Sequence, residues 1–208
     1  MSPKASVRPL RREQIVRATV RCLSRDGYAR LTMKRVAREA GVSQGILHYY
    51  FRDKRAILVA TLEAVVADLD RRVAAAQRRG GRDAAARLAA LVGVCVDTAV
   101  RRRELWAVFI EFWGEMLHDR RLAGINADQY ARMRGLVGAL VARGIGEGRF
   151  RRVDPRAAGA VVLGLVDGVC LQVLFDPGAL TPATATRLCV EAAHRYLVES
   201  GGEARRDP

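Results

Sequence analysis

Five neighbouring residues near the N-terminus carry polar or small side chains that can approach a nucleic acid closely: Ser43, Gln44, Gly45, His48 and Tyr49. They fall on the second of two short predicted helices in residues 32–51, which a turn at Gly41 joins. The N-terminal end of such a helix can enter a DNA major groove, which is about 12 Å wide. The spacing therefore predicts a helix-turn-helix, and its chemistry is recognition rather than catalysis.

Apolar residues at helical spacing are expected to lock these two helices together: Val36, Ala37, Ala40, Val42, Ile46 and Leu47. Tyr50 and Phe51 are assigned to the same core. A helical hairpin with no role in DNA binding would satisfy this spacing as well. That alternative is weakened by the charge of the same region.

Positive charge is concentrated at the start of the chain. The sequence has 36 lysines and arginines against 22 acids, a formal charge of +14, and residues 1–55 hold 14 of the basic residues and 4 of the acids. A basic region of this kind is typical of a module that binds a polyanion. Basic segments are also often only solvated helix faces, so charge by itself leaves both interpretations open.

The composition bounds the remaining function classes. The 208 residues are 50% hydrophobic, enough for a core without disulfides or metals. The four cysteines are far apart and form no zinc or iron-sulfur motif, so no metal and no cofactor is expected. We find no signal peptide, and the apolar run 157–175 fits a packing helix better than a membrane span. These features place the protein in the cytoplasm.

The apolar periodicity predicts an all-α protein with no sheet. Helices are expected at 11–25, at two short segments within 32–51, and at 53–79, 83–100, 104–117, 127–146, 155–175 and 182–199. We predict a DNA-binding domain over 9–55, and a helical effector-binding and dimerisation domain over 56–200. Gly80 and Gly81 are the expected hinge.

The N-terminal region resembles a known family. The run GVSQGILHYYFRDKRAIL at 41–58, with Ile15 and Ala18 before it and Gly27-Tyr28 between, is similar to the DNA-binding domain of TetR-family transcriptional regulators. The segments FWGEMLHD, LVDGVCLQ and FDPGALTP more weakly resemble the C-terminal domain of the BetI-type branch. The resemblance implies an all-helical homodimer that binds a palindromic operator and is released by a small ligand.

The resemblance also assigns roles to individual residues. Phosphate contacts fall on Thr32, His48, Tyr49 and Lys54, and the groove-facing tip falls on Ser43, Gln44 and Gly45. Gln44 has the paired donor and acceptor that read adenine, while Lys54 supplies charge to a phosphate. His48 stands where tyrosine is commoner in the family, so it is either a phosphate donor or a neutral surface imidazole.

Aromatic and sulfur-bearing side chains in the middle of the chain form the candidate ligand-binding wall: Trp106, Phe109, Phe112, Trp113, Met116, Tyr130 and Met133. Such a wide apolar stripe either packs in the core or lines a cavity. Acids embedded nearby, Asp97, Glu111 and Glu115, would suit a cationic ligand, and BetI-type members suggest a choline-like one. A lipophilic or planar effector is an open alternative.

Small residues on the helix from Pro155 predict self-association. Ala160, Gly164 and Gly168 recur every four residues and allow close approach of another helix, with Leu171 adding apolar contact. The family builds its dimer from this helix and the next one. A monomer could instead bury the same stripe against its own body.

Together these residues predict a DNA-binding transcriptional regulator, a repressor that a small molecule releases. The alternative is an architectural DNA-binding protein without an effector. An enzyme is not expected, because the sequence has no phosphate-binding glycine loop, paired acid and base, or partnered nucleophile.

Overall fold

The computed structural model describes residues 3–81 and 83–198, and this part of the chain contains nine α-helices, one short 3-10 turn and no strand. The helices are α1 (Pro3–Asp26), α2 (Met33–Ala40), α3 (Gln44–Tyr50), α4 (Lys54–Arg79), α5 (Ala84–Arg101), α6 (Arg103–Met116), α7 (Arg120–Gly146), α8 (Pro155–Phe175) and α9 (Pro182–Leu197), with the 3-10 turn at Tyr28–Arg30. The predicted all-α class is confirmed.

Local signals explain most helix starts. The side chains of Thr32, Ser43, Asp154 and Thr181 each accept a hydrogen bond from a backbone N–H in the first turn of α2, α3, α8 and α9. Proline follows the cap in α8 and α9, where its missing N–H costs nothing.

Two helices begin earlier than the sequence predicts. Helix α1 starts at Pro3 and continues through Pro9, because the fixed φ of proline is compatible with a helix that gives up one hydrogen bond. Helix α7 starts at Arg120 rather than 127, because the Asp119 carboxylate accepts from the N–H groups of Arg121 and Leu122 at 2.8 and 3.2 Å. The predicted end of α9 at Glu199 lies outside the described residues.

The described residues form two compact units. The first contains the chain up to Leu69 together with Arg102–Ala127. Its core joins α1 residues such as Ile15 and Leu23 to Ile57 and Leu62 of α4 and to Phe112 of α6, all at most 2% exposed. The predicted boundary between residues 55 and 56 therefore falls inside α4, and α6 packs with the N-terminal helices because its apolar face completes their core.

The second unit contains Asp70–Arg101 and the described chain from Asp128 onward. Helices α5, α8 and α9 pack against one another there. Gly159 permits the close contact of α8 with α7, because a Cβ at this position would lie 2.7 Å from the Arg134 carbonyl oxygen. Helix α8 is also long and apolar enough to cross a membrane by length and composition, a test that core helices of soluble proteins also pass.

Carboxylates at the end of α6 and the start of α7 bind the N-terminal segment of the first unit. The Tyr28 backbone N–H donates to Glu111 Oε2 at 3.0 Å, and the Tyr28 side chain hydrogen-bonds Glu115. Arg55 donates to both oxygens of Asp119, with Nη2–Oδ1 at 2.9 Å. Burial and the Glu115 carboxylate raise the pKa of Tyr28 to about 12. These contacts hold the turn after α1 and the start of α4 against α6 and α7.

The Arg55 pair predicts a pH dependence of stability. The Arg55 hydrogen bond lowers the pKa of Asp119 from 3.8 to about 2. Since the folded-state pKa is below that of the unfolded chain, this contribution is present above about pH 4 and is lost as the pH falls towards 2. We expect Asp119→Asn to lower the unfolding free energy at pH 7, and the difference from wild type to shrink between pH 5 and pH 3 in urea unfolding.

The matched control is Asp128→Asn, an exposed acid on α7 that leaves the Arg55 pair intact. If the two variants show the same pH profile, the ion pair makes no measurable contribution.

Candidate nucleic-acid interface

Helices α2 and α3 are joined by a turn that only glycine adopts easily. Gly41 has φ 64° and ψ 37°, the left-handed conformation, and its N–H donates to the Arg38 carbonyl at 3.1 Å. The N–H of Val42 donates to the Ala37 carbonyl at 3.0 Å, which closes the end of α2. This geometry fixes the direction in which α3 leaves α2.

One side chain determines which face of α3 is buried. Leu47 is fully buried, with Tyr50 half-buried and Phe51 buried just after the helix. Ile46 is 43% exposed, so the expectation that it faces inward is wrong. Ile46 directly precedes Leu47, and neighbouring helix positions differ by about 100° around the axis, so one turn cannot bury both in a single narrow contact.

The outward face of α3 carries all five residues that the sequence singles out there. Ser43, Gln44, Gly45, His48 and Tyr49 are exposed, and Tyr49 is 64% exposed. The Ser43 hydroxyl also accepts from the Ile46 N–H at 3.2 Å as the helix cap. A Cβ at Gly45 would meet only the Ser43 hydroxyl, at 3.9 Å, so the backbone is open to a close approach.

The two other predicted phosphate contacts lie at helix starts. Thr32 is exposed, and its hydroxyl accepts from the Arg35 N–H at 3.2 Å. Lys54 is half-buried: its ammonium donates to the Tyr28 carbonyl at 3.1 Å and lies 3.9 Å from the centroid of the Tyr28 ring. One lysine N–H is therefore committed within the chain, while the ammonium retains two more donors.

Part of the basic charge is neutralised between α1 and α2. Glu39 accepts from Arg21 at 2.7 Å and from Arg25 at 3.2 Å, and Asp26 pairs with Arg25 and with Arg35. These guanidinium hydrogen bonds lower the pKa of both carboxyls. The arginines of this network stabilise the helix packing and are less available to a ligand.

The candidate ligand wall divides between the two units. Five of its residues lie on α6: Phe109 and Phe112 are buried, and Trp106, Trp113 and Met116 are half-buried against the core of the first unit. Phe109 stacks on Trp106 with ring centroids 5.5 Å apart and meets Trp113 edge to face at 6.1 Å. The indole N–H groups of both tryptophans are buried without a partner.

Tyr130 and Met133 belong to the second unit. Met133 is buried, and the Tyr130 hydroxyl donates to Asp167 Oδ2 at 2.7 Å. Burial raises the pKa of Asp167, and no cation lies within salt-bridge distance of it in the described ranges. Sequence reasoning missed this residue as a site candidate; its only signal was an acid inside the apolar run of α8.

The three acids expected to accompany a cationic ligand have other partners. Glu111 and Glu115 bind Tyr28, as described above, and Asp97 pairs with Arg101 one turn later on α5. The expectation that these acids serve a ligand is therefore wrong, because exposed or tethered groups on the same helices satisfy them.

The predicted dimer residues lie on the open side of α8. Ala160 and Gly164 are exposed, Gly168 and Leu171 are half-buried, and a Cβ at Gly164 or Gly168 would meet nothing within 4 Å. Large apolar side chains are exposed on α8 and α9 as well, namely Val161 at 48%, Phe175 at 74% and Leu188 at 39%.

Two family models match the chain. Residues 15–61 match the model described as bacterial regulatory proteins of the tetR family, and residues 84–198 match the C-terminal model of BetI-type transcriptional repressors. The first match covers the helix-turn-helix, and the second covers helices α5 to α9.

Whole-length relatives agree with the family models. The chain is 32% identical over 203 residues to the HTH-type transcriptional regulator BetI 2 of Chromohalobacter salexigens, covering 94% of this chain and 90% of that protein. It is 30% identical over 200 residues to BetI of Burkholderia ambifaria, covering 94% and 96%.

Solved structures share the fold. A transcriptional regulator from Saccharomonospora viridis, solved in complex with choline, superposes with a TM-score of 0.81 at 26% identity and covers 90% of this chain and 97% of that one. A TetR regulator from Haloarcula marismortui superposes with a TM-score of 0.82 at 23% identity, covering 91% and 98%. The chain thus belongs to the TetR family of transcriptional regulators, with a C-terminal region of the BetI type.

Proposed function

We propose that this regulator is a ligand-responsive repressor that binds a palindromic operator as a homodimer, in the cytoplasm. The observation that carries the proposal is the outward face of α3, where Gln44, Gly45 and Tyr49 are exposed while Leu47 is fully buried. Such a face combines a base-reading amide, a position without a side chain and a phosphate donor on one rigid helix.

The proposed contacts divide into two kinds. Ser43, Gln44 and Gly45 lie at the start of α3, where side chains reach base edges in the major groove. Thr32, His48, Tyr49 and Lys54 surround this tip and contact phosphates. In this arrangement the first group supplies sequence discrimination, and the second supplies affinity that falls with salt.

Operator binding can be tested on duplexes selected from a random pool. We expect Gln44→Ala to lower affinity for the selected duplex roughly 5- to 150-fold, from a contact worth about 1–3 kcal/mol, and to relax the preference at one base pair per half-site. Tyr49→Ala should weaken selected and random duplexes alike. Fluorescence anisotropy at 50 and 200 mM salt measures both effects.

Thermal unfolding of each variant is the control for folding, since both side chains are exposed. Affinity that is flat with salt, or unchanged in both variants, would contradict the assignment of α3 to DNA. A protein that binds strongly but selects no sequence would favour the architectural alternative.

The open face of α8 supports a homodimer. Gly164 and Gly168 leave space for a second helix, and Val161 and Phe175 expose apolar surface that a second copy would cover. A two-fold dimer can place two α3 helices about 34–36 Å apart, one turn of DNA, so that each reads half of a palindrome.

A paired substitution tests the dimer. Gly164→Leu adds a side chain to open space in the single chain but obstructs a facing helix. We expect it to weaken dimerisation about tenfold or more, from an overpacking cost of roughly 1–3 kcal/mol, as measured by sedimentation equilibrium.

Gly135→Leu is the matched control, because Gly135 is an exposed glycine on α7 that also has nothing within 4 Å of an added Cβ. Equal dimerisation of the two variants, or a wild-type protein that is monomeric at micromolar concentration, would place the interface elsewhere or exclude it.

The effector is proposed to be a small organic cation. Asp167 is a half-buried carboxylate with one hydrogen bond, from Tyr130, and no cationic partner in the described chain, so a positively charged ligand would compensate its buried charge. The choline complex of the Saccharomonospora viridis regulator supports this class of ligand. Tyr130 would bring an aromatic face to the same site.

Choline is therefore the first compound to test. We expect saturating choline to raise the melting temperature of the wild type by roughly 5–10 °C, and Asp167→Asn to remove most of that shift. Asp97→Asn is the control, since Asp97 pairs with Arg101 and should leave the shift intact. Stabilisation by planar apolar compounds and not by cations would favour the aromatic residues of α6 as the site.

The ligand acts on the operator through the protein's conformational equilibrium. A ligand lowers operator affinity only by the amount by which it prefers a conformation with the wrong spacing of the two α3 helices. An effector that binds both conformations equally would bind without releasing DNA.

A further inference from the structure

We propose that Arg8 and Arg12 of α1 form an additional phosphate-binding element beside α3, which rests on the proposed binding of α3 to DNA. The Arg8 guanidinium carbon lies 5.1 Å from the centroid of the Tyr49 ring, and that of Arg12 lies 5.3 Å from the centroid of the Phe51 ring. Because the two arginines are four residues apart, they lie on one face of α1. This face is directed at the helix that carries the groove-facing tip.

Charge pairing separates these two arginines from the rest of α1. Arg17 pairs with Glu13 at 2.8 Å, Arg21 with Glu39 at 2.7 Å and Arg25 with Asp26 at 3.1 Å. Neither Arg8 nor Arg12 has a carboxylate within salt-bridge distance among the residues that the structure describes, and both are exposed. The positive charge next to α3 is therefore available to an external anion, whereas the charge farther along α1 is neutralised.

The stacked geometry suits a phosphate. A guanidinium that lies over an aromatic ring keeps the N–H donors at its edge free, and these donors match two oxygens of a phosphate. The ring also restricts the flexible side chain, so less conformational freedom is lost when the phosphate binds. Since Tyr49 is itself a proposed phosphate contact, Arg8 is positioned to bind the same or the adjacent phosphate of the DNA backbone.

The salt dependence of binding provides the readout. Each neutralised phosphate contributes roughly 0.9 to the slope of log affinity against log salt. Arg8→Ala or Arg12→Ala in a homodimer removes two contacts, so the slope should fall by about 1.8. The advantage of the wild type over either variant should then shrink about 12-fold between 50 and 200 mM salt.

The experiment compares Arg8→Ala, Arg12→Ala, Arg8→Lys and Arg17→Ala on a selected operator and on a random duplex. Arg17→Ala is the matched control, because it removes an exposed arginine of the same helix that already has an acid partner. We expect the first two variants to reduce the slope on both duplexes and leave the preference for the operator unchanged. Arg8→Lys should retain the slope because it retains the charge.

Two results would overturn the proposal. Slopes of Arg8→Ala and Arg12→Ala equal to that of Arg17→Ala would exclude phosphate contacts. Lower affinity with an unchanged slope and a lower melting temperature would show that the arginines only brace α3. A wild type that binds no duplex at all would instead refute the proposed function and this inference with it.

Discussion

The burial of Leu47 fixes the orientation of α3, and the proposed DNA interface depends on that orientation. Leu47 is one of the largest fully buried side chains of the first unit, where removal of a leucine side chain typically costs about 2–5 kcal/mol. The left-handed Gly41 determines the path into α3, and Leu47 determines its rotation about its own axis. Only with both in place do Gln44, Gly45 and Tyr49 face outward together.

The same unit connects the helix-turn-helix to α6 through Tyr28. This residue donates its backbone N–H to Glu111, accepts from Lys54 through its carbonyl and hydrogen-bonds Glu115 through its side chain. Gly27, with φ 75°, lets the backbone pass close to Glu111. Any change in α6 therefore reaches the start of α4 through polar contacts rather than through loose loops, which gives an effector a physical route to the DNA-binding helices.

Charge in this protein is arranged rather than merely abundant. Glu39 and Asp26 neutralise the arginines that hold α1 to α2, whereas the arginines beside α3 have aromatic neighbours instead of acids. In the second unit Asp167 presents the opposite case, a negative charge whose partner among the described residues is a tyrosine hydroxyl. Polyanion and cation would thus be bound in separate units, each by charge that the fold leaves uncompensated.

The sequence by itself determined the features that depend on neighbours a few residues away. Caps at Thr32, Ser43, Asp154 and Thr181, the glycine turn at Gly41 and the apolar period of each helix are local signals, and they predicted the helices and the exposed residues of α3. Tertiary structure alone decided the exposure of Ile46 and the partners of Glu111 and Asp119. The contacts of those two acids join residues 83 and 64 positions apart. It also decided which glycine of α8 meets a neighbouring backbone, Gly159 rather than Gly164. Spacing along one helix indicates which residues share a face, but only the packed chain determines what that face contacts.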